Sequence, residues 1–149
     1  MADRKNRMTV DFSALEEYRA KLDALGGDAT KRAFTAALKA SQQVVKEATV
    51  EAMQPHNRTG HTVRTAVGNL PVKWDGNFAS VPVGFEIVHD DSGSGLVSVF
   101  LMYGTELYGQ PHIPPDRKLY CAVYGDAVRQ RCRKIQADAF RKVLERVMK

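Results

Sequence analysis

Ready-made chemistry is scarce in this chain. Only two cysteines occur, Cys121 and Cys132, eleven positions apart on what reads as one helix. That is about 16 Å along the axis at 1.5 Å per residue, too far for a bridge within the chain. Both are expected as buried thiols, since the close Cys or His neighbours of a metal site are missing. No window comes near the run of about 18 apolar residues that a membrane-crossing helix needs, and the opening MADRKNRMTV has charge but no apolar stretch behind it. Neither a membrane span nor a secretory signal is expected, and the protein is expected to work or assemble inside a cell.

The catalytic motifs are missing as well. There is no GxSxG elbow, no HExxH or CxxC, and no GxxxxGKS/T cradle; Gly93-Ser94-Gly95 lacks both the lysine and the following helix pattern. The carboxylate pairs Glu16-Glu17 and Asp90-Asp91 are neighbours in sequence, which a helix or strand points apart. His56 and His61 flank a turn, and His89 beside Asp90-Asp91 is the best metal candidate, yet it falls at a hairpin end where such residues form turns. Structural or solvated roles are expected for these and for His112. No enzyme, cofactor or metal is expected.

What is present suits one ordinary domain over residues 1–149, with the first eight expected to be disordered: 44% of residues are apolar and 26% charged. The net charge of +5 is uneven. From Arg117 to Lys149 ten Lys and Arg face three Asp and Glu, while residues 1–116 carry twelve against fourteen. The basic character belongs to the last helix, where a solvated face favoured by the helix dipole and a surface for nucleic acid or an acidic partner are both open readings.

Along the chain, Thr9 to Phe12 can add an edge strand. Ser13 and Glu16 form a capping-box pattern for a short helix bearing Leu15, Tyr18, Leu22 and Leu25, stopped by Gly26-Gly27. Asp28 is the expected N-cap of a long helix to about Met53, with Phe34, Ala37, Leu38, Ser41, Val44, Val45, Ala48 and Ala52 as its stripe. So many small residues imply close packing, by a curved sheet or by the final helix. Thr62 to Val67 reads as either a turn of helix or an extended piece.

Leu70 to Trp74 and Val81 to His89 are strand candidates around the Asp75-Gly76-Asn77 turn, and Leu96 to Tyr103 is a third strand. A Pro-bounded loop, Gly104 to Pro115, then leads into one helix from near Asp116 or Lys118 to the end, striped by Val128, Cys132, Ile135, Ala139, Val143 and Val147. The order is β-α-α-β-β-β-α. The expected class is α+β: a small antiparallel sheet of three to four strands packed against a long helix in the N-terminal half and a long C-terminal helix.

Several short motifs stand in a telling order. The long helix ends at Met53-Gln54-Pro55; Thr59-Gly60 and Val63-Arg64 follow; then, after strands, come Met102-Tyr103-Gly104-Thr105 and Pro111-His112-Ile113-Pro114 before the last helix. In this the chain resembles the tail-completion proteins of tailed phages, small virion-neck subunits of long-tailed phages. There a long helix ends in Pro and is followed by TG-L-R, EFGT and PHPF. The resemblance spans about Leu15 to the C-terminus. Met102 stands where the family has Glu, and Ile113-Pro114 inverts its Pro-Phe.

The resemblance implies a structural virion protein of a phage or prophage. It would serve in tail completion or head-tail joining, as a minor tail protein assembled in the bacterial host cytoplasm. Its partners would be copies of itself in a ring of six at the virion neck, the head connector and the tail tube, with DNA only as passing genome and no membrane. Segments able to order against a neighbour are the acidic tip with Asp90, Asp91, Gly93 and Gly95, and the loop with Gly104, Thr105, Glu106, Leu107, Tyr108, Gln110 and His112. A ring is head-to-tail, so two different patches of each subunit should be used.

Two other classes stay open. One is a nucleic-acid module built on Arg131, Lys134, Arg141 and Lys142 with Tyr103, Tyr108, Tyr120 and Tyr124 nearby. The other is a metal hydrolase around His89, Asp90 and His112.

Overall fold

The longest apolar stripe becomes the longest helix. In the computed structural model, which describes residues 7–9, 20, 23–24, 26–76, 78–86 and 96–147, helix α1 spans Gly27–Met53. Its start differs from expectation, because Gly26 at φ 104° is the N-cap and Asp28 lies in the first turn, where a carboxylate suits the helix dipole. Its end is as expected: the chain passes into a 3-10 turn, Gln54–His56, containing Pro55. Strand β1 (Arg7–Thr9) precedes it, and α2 (His61–Arg64), β2 (Lys73–Asp75), β3 (Phe78–Pro82), α3 (Leu96–Tyr103), β4 (Thr105–Leu107), β5 (Gln110–Ile113), α4 (Arg117–Tyr124) and α5 (Asp126–Val147) follow.

Among the described residues, α1 contributes to every core cluster. Val44, Val45 and Met53 pack with Met102, Leu119, Val123, Val128 and Cys132 at one end, while Ala33 and Ala37 receive Phe140 and Leu144 at the other. α5 therefore runs antiparallel to α1. The small side chains let the two approach closely, and rows four residues apart face each other: Gln136 Nε2 donates to Ser41 Oγ at 2.7 Å, and Ser41 Oγ to the Ala37 carbonyl at 3.1 Å. On another side, Leu38 packs against Ala79 and Val81 of β3. Buried Gln42 fastens the sheet by donating to the Pro82 carbonyl at 2.7 Å and accepting from the Leu70 N–H at 3.0 Å. Both expected coverings of α1, the sheet and the last helix, are used.

The three-stranded antiparallel sheet has the order β1-β3-β2, and β4 pairs with β5 separately. Thr9, expected in the first strand, pairs with Ser80. Arg7 and Met8, expected among disordered leading residues, pair with Pro82 and Val81. Residues 10–12 and most of the Ser13 helix lie outside the described residues, although Ala20, Asp23 and Ala24 are helical. The strand expected over Val81 to His89 instead ends at Pro82, which has no N–H to donate, and Gly84 turns at φ 98°. The chain then changes partner: the Gly84 carbonyl accepts from Val67 and the Glu86 N–H donates to Thr65, both at 2.8 Å. Val81 and Val83 are buried on either side of the break. The segment after Gly60 is both things it could be, a helical turn and then a bridge from Ala66 to Phe85.

The larger correction is at Leu96 to Tyr103, which is helix and not strand. A continuous apolar run fits a buried strand or a buried helix equally well. The neighbours decide: helical spacing puts Ser98 and Met102 together into the core, and Gly104 at φ 73° ends the helix in the left-handed conformation of a C′ glycine.

The last helix is also two. Gly125, in extended conformation, separates α4 from α5, and a Cβ there would collide with the Cys121 carbonyl oxygen. Leu119 and Val123 bury from α4, Val128 and Cys132 from α5. An unbroken helix would put Val128 about 140° around the axis from Val123 at 100° per residue. The break realigns both faces on α1. Cys121 consequently lies exposed, contrary to the expectation of a buried thiol, while Cys132 is buried. Among the described residues no helix is long and apolar enough to cross a membrane.

Candidate functional site

The stretch expected as a loop is a projecting β-hairpin. Gly104 must be glycine twice over: its φ is 73°, and a Cβ would fall 2.7 Å from the Ile113 carbonyl oxygen, where the two legs meet. Thr105 pairs with Ile113, Glu106 with Pro111 and Leu107 with Gln110, with an irregularity between Thr105 and Glu106. Tyr108 (φ 53°) and Gly109 (φ 75°) form the two-residue turn, both in the left-handed region that mirror-image hairpin turns use. Gly109 was the available signal for this hairpin. Residues 106–112 are all exposed, Tyr108 to 96%, whereas Ile113 is half-buried. Thr105 Oγ1 is buried and has no hydrogen-bond partner among the described residues.

The base is fastened by one aspartate. The Asp116 N–H donates to the Leu101 carbonyl at 2.7 Å, holding the second leg against α3. Asp116 Oδ1 caps α4 by accepting from the N–H groups of Lys118 (2.8 Å) and Leu119 (3.1 Å). His56 Nε2 reaches Asp116 Oδ2 at 2.6 Å from the turn after α1. The hydrogen bond from His56 is the main reason the Asp116 carboxyl sits below the ordinary carboxylate range, helped by the two N–H groups and opposed by partial burial. No local pattern in the sequence encodes this partner, sixty residues from His56. Beside this base, Tyr103 and Tyr120 meet edge-on at 5.9 Å, and Tyr120 and Tyr124 lie 4.9 Å apart.

Comparison with protein-family models, curated proteins and solved structures finds no match to this chain.

The other expected site residues fall elsewhere. Asp90, Asp91, Gly93 and Gly95, with His89, lie outside the described residues. Gly104, Thr105, Glu106, Leu107, Tyr108, Gln110 and His112 come together as the hairpin. Arg131, Lys134, Arg141 and Lys142 lie exposed on α5, away from the stripe that meets α1, and Arg141 is within 3.8 Å of Asp138. Among the described residues no three of His, Cys, Asp and Glu gather as metal ligands would. Burial pushes the Cys132 thiol upward, which suits packing and not reactivity. What this surface offers is contact: a ribbon with an apolar tip, an aromatic base, and a basic helix face.

Proposed function

We propose that this chain is a structural subunit of a phage or prophage virion, a tail-completion or head-tail joining protein that forms a ring with copies of itself at the neck. The observation that carries the reading is the order of its short motifs. Pro55 follows α1, Gly60 precedes α2 with φ 78°, Gly104 closes α3, and Pro111-His112 lies in β5. Supporting it, the segment that joins the EFGT-like and PHPF-like motifs is a ribbon held at its base with an apolar tip in solvent, a form suited to contact with another subunit. Met102, which replaces the family's Glu, is buried in the core, so no role of that carboxylate carries over.

In this reading the partners are further copies of the chain, the head connector and the tail tube, with the genome passing through. The test is light scattering of the pure protein, with negative-stain imaging after addition of tail-tube or connector protein. Rings on either partner are the expected result. Monomers that bind neither partner would overturn the reading.

A second reading is a nucleic-acid-binding module, favoured by the exposure of Arg131, Lys134, Arg141 and Lys142 on one helix. Neutralising all four should then abolish a steeply salt-dependent affinity for DNA. Absence of any shift of duplex or single strands by wild type at low salt would remove this reading and leave the first standing.

A further inference from the structure

α3 is apolar on both sides. Ser98 and Met102 face the core, while Leu96, Val97, Phe100 and Tyr103, spaced i, i+1, i+4 and i+7, remain in solvent, Phe100 to 45% and Tyr103 to 58%. A helix apolar all round is ordinarily covered on all sides. The Tyr103–Tyr120 contact carries the patch onto α4, where Arg117 precedes Tyr120 by three residues and so shares its face. Arg117 is exposed and makes no ion pair among the described residues.

The hairpin has the complementary character. It is a sheet of two strands, and a lone two-stranded ribbon is marginal in water without something to lie against. Its tip offers Leu107 and Tyr108, and its one carboxylate is Glu106, exposed and likewise without an ion pair among the described residues. Within one copy the two surfaces stay apart, since Phe100 and Tyr108 are both left in solvent. Two unlike patches on one chain, one apolar with a cation at its rim and one apolar with an anion beside it, fit head to tail.

We propose that the β4–β5 hairpin of a second copy of this chain docks on the α3–α4 patch. Tyr108, at the turn, lies across Phe100, Tyr103 and Tyr120, and Glu106 meets Arg117 at the rim. The pairing rests on the ring reading above and specifies its joint.

The test uses full-length protein carrying Cys121→Ser, so that buried Cys132 is the remaining native thiol. Phe100→Cys and Tyr108→Cys proteins are mixed and treated with a short bismaleimide. The expected result is a crosslinked dimer in the mixture, several-fold stronger than in either variant alone. Separately, Phe100→Asp and Tyr108→Asp should each abolish self-association while keeping wild-type circular dichroism. Mixing the two should restore dimers and nothing larger, because each such pair retains one intact joint.

Crosslinks confined to like positions, no crosslink at all, or both aspartate variants assembling as wild type does would overturn the pairing. In the last case, rings of the variants seen by negative stain on tail-tube protein would leave the ring reading standing while the joint falls. If the cysteine variants give no crosslink and wild type forms no rings on tail-tube protein, both fall.

Discussion

His56 Nε2 lies 2.6 Å from Asp116 Oδ2, joining the turn that ends α1 to the residue that opens α4 and closes the hairpin. One carboxylate thus serves as helix cap and tether. Asp116→Ala should cost about 2 kcal/mol, a fall in Tm of roughly 4–8 °C for a chain of this size. Asp116→Asn should lose less, because its amide oxygen still accepts from the helix N–H groups. Thermal unfolding of the three proteins checks the order.

The same carboxyl predicts an acid dependence. Its folded-state pKa is depressed by His56 and the α4 N–H groups below the ordinary 3.8. The stability it adds is therefore fully present above the unfolded value and is lost as pH falls through the lower folded one. The urea midpoint of wild type should exceed that of Asp116→Asn at about pH 5, and the gap should close as pH drops below about 4. A gap that persists unchanged in acid would contradict this.

Glycine is required at one hairpin position and not at another of similar φ. Gly104→Ala adds a Cβ 2.7 Å from backbone oxygen at φ 73°, and a loss of about 2 kcal/mol or more is expected. Tyr108, at φ 53° and in solvent, is under the opposite constraint. Tyr108→Gly relieves left-handed strain and loosens the unfolded chain, and the two should cancel to within about 0.5 kcal/mol. Urea unfolding of both variants reads the contrast.

The buried link between α1 and α5 should show coupling. Ser41→Ala strands the Gln136 amide, at an expected cost of about 1–3 kcal/mol. Gln136→Leu leaves the Ser41 hydroxyl its bond to the Ala37 carbonyl and should cost less. The double variant should be more stable than the two losses summed, with a coupling of about 1 kcal/mol in a double-mutant cycle.

The two thiols should part company in a labelling experiment. Cys121 is exposed and should react promptly with a disulfide reagent, whereas burial both shields Cys132 and raises its pKa, so that it reacts at the rate of unfolding. Equal prompt reaction of both would contradict the packing of α5.

How much of this was legible depended on whether the cause was local. The Ala- and Ser-rich stripe from Phe34 to Ala52 announced a long helix that something must approach closely, because a period near 3.6 is a property of the chain itself. Pro55 and the Asp75-Gly76 turn were equally local, being steric preferences of single residues. Leu96 to Tyr103 was not. Its eight residues satisfy a strand or a helix, and the choice rested on which neighbours were there to bury Ser98 and Met102. Gly109 is a local turn signal among the prolines of that segment. The break at Gly125 was legible only once Val123 and Val128 were known to face the same partner.

By itself, then, the sequence determined a mixed α+β chain with two long helical segments, a basic segment from Arg117 to the end and a Pro-bounded segment after Gly104. These follow from composition, periodicity and the conformational limits of proline and glycine. The tertiary structure decided that the segment is a ribbon, that α3 is a helix with an apolar face left in solvent, and that His56 and Asp116 meet. Each depends on groups far apart in the chain arriving at one place, and no local preference encodes the distance between them.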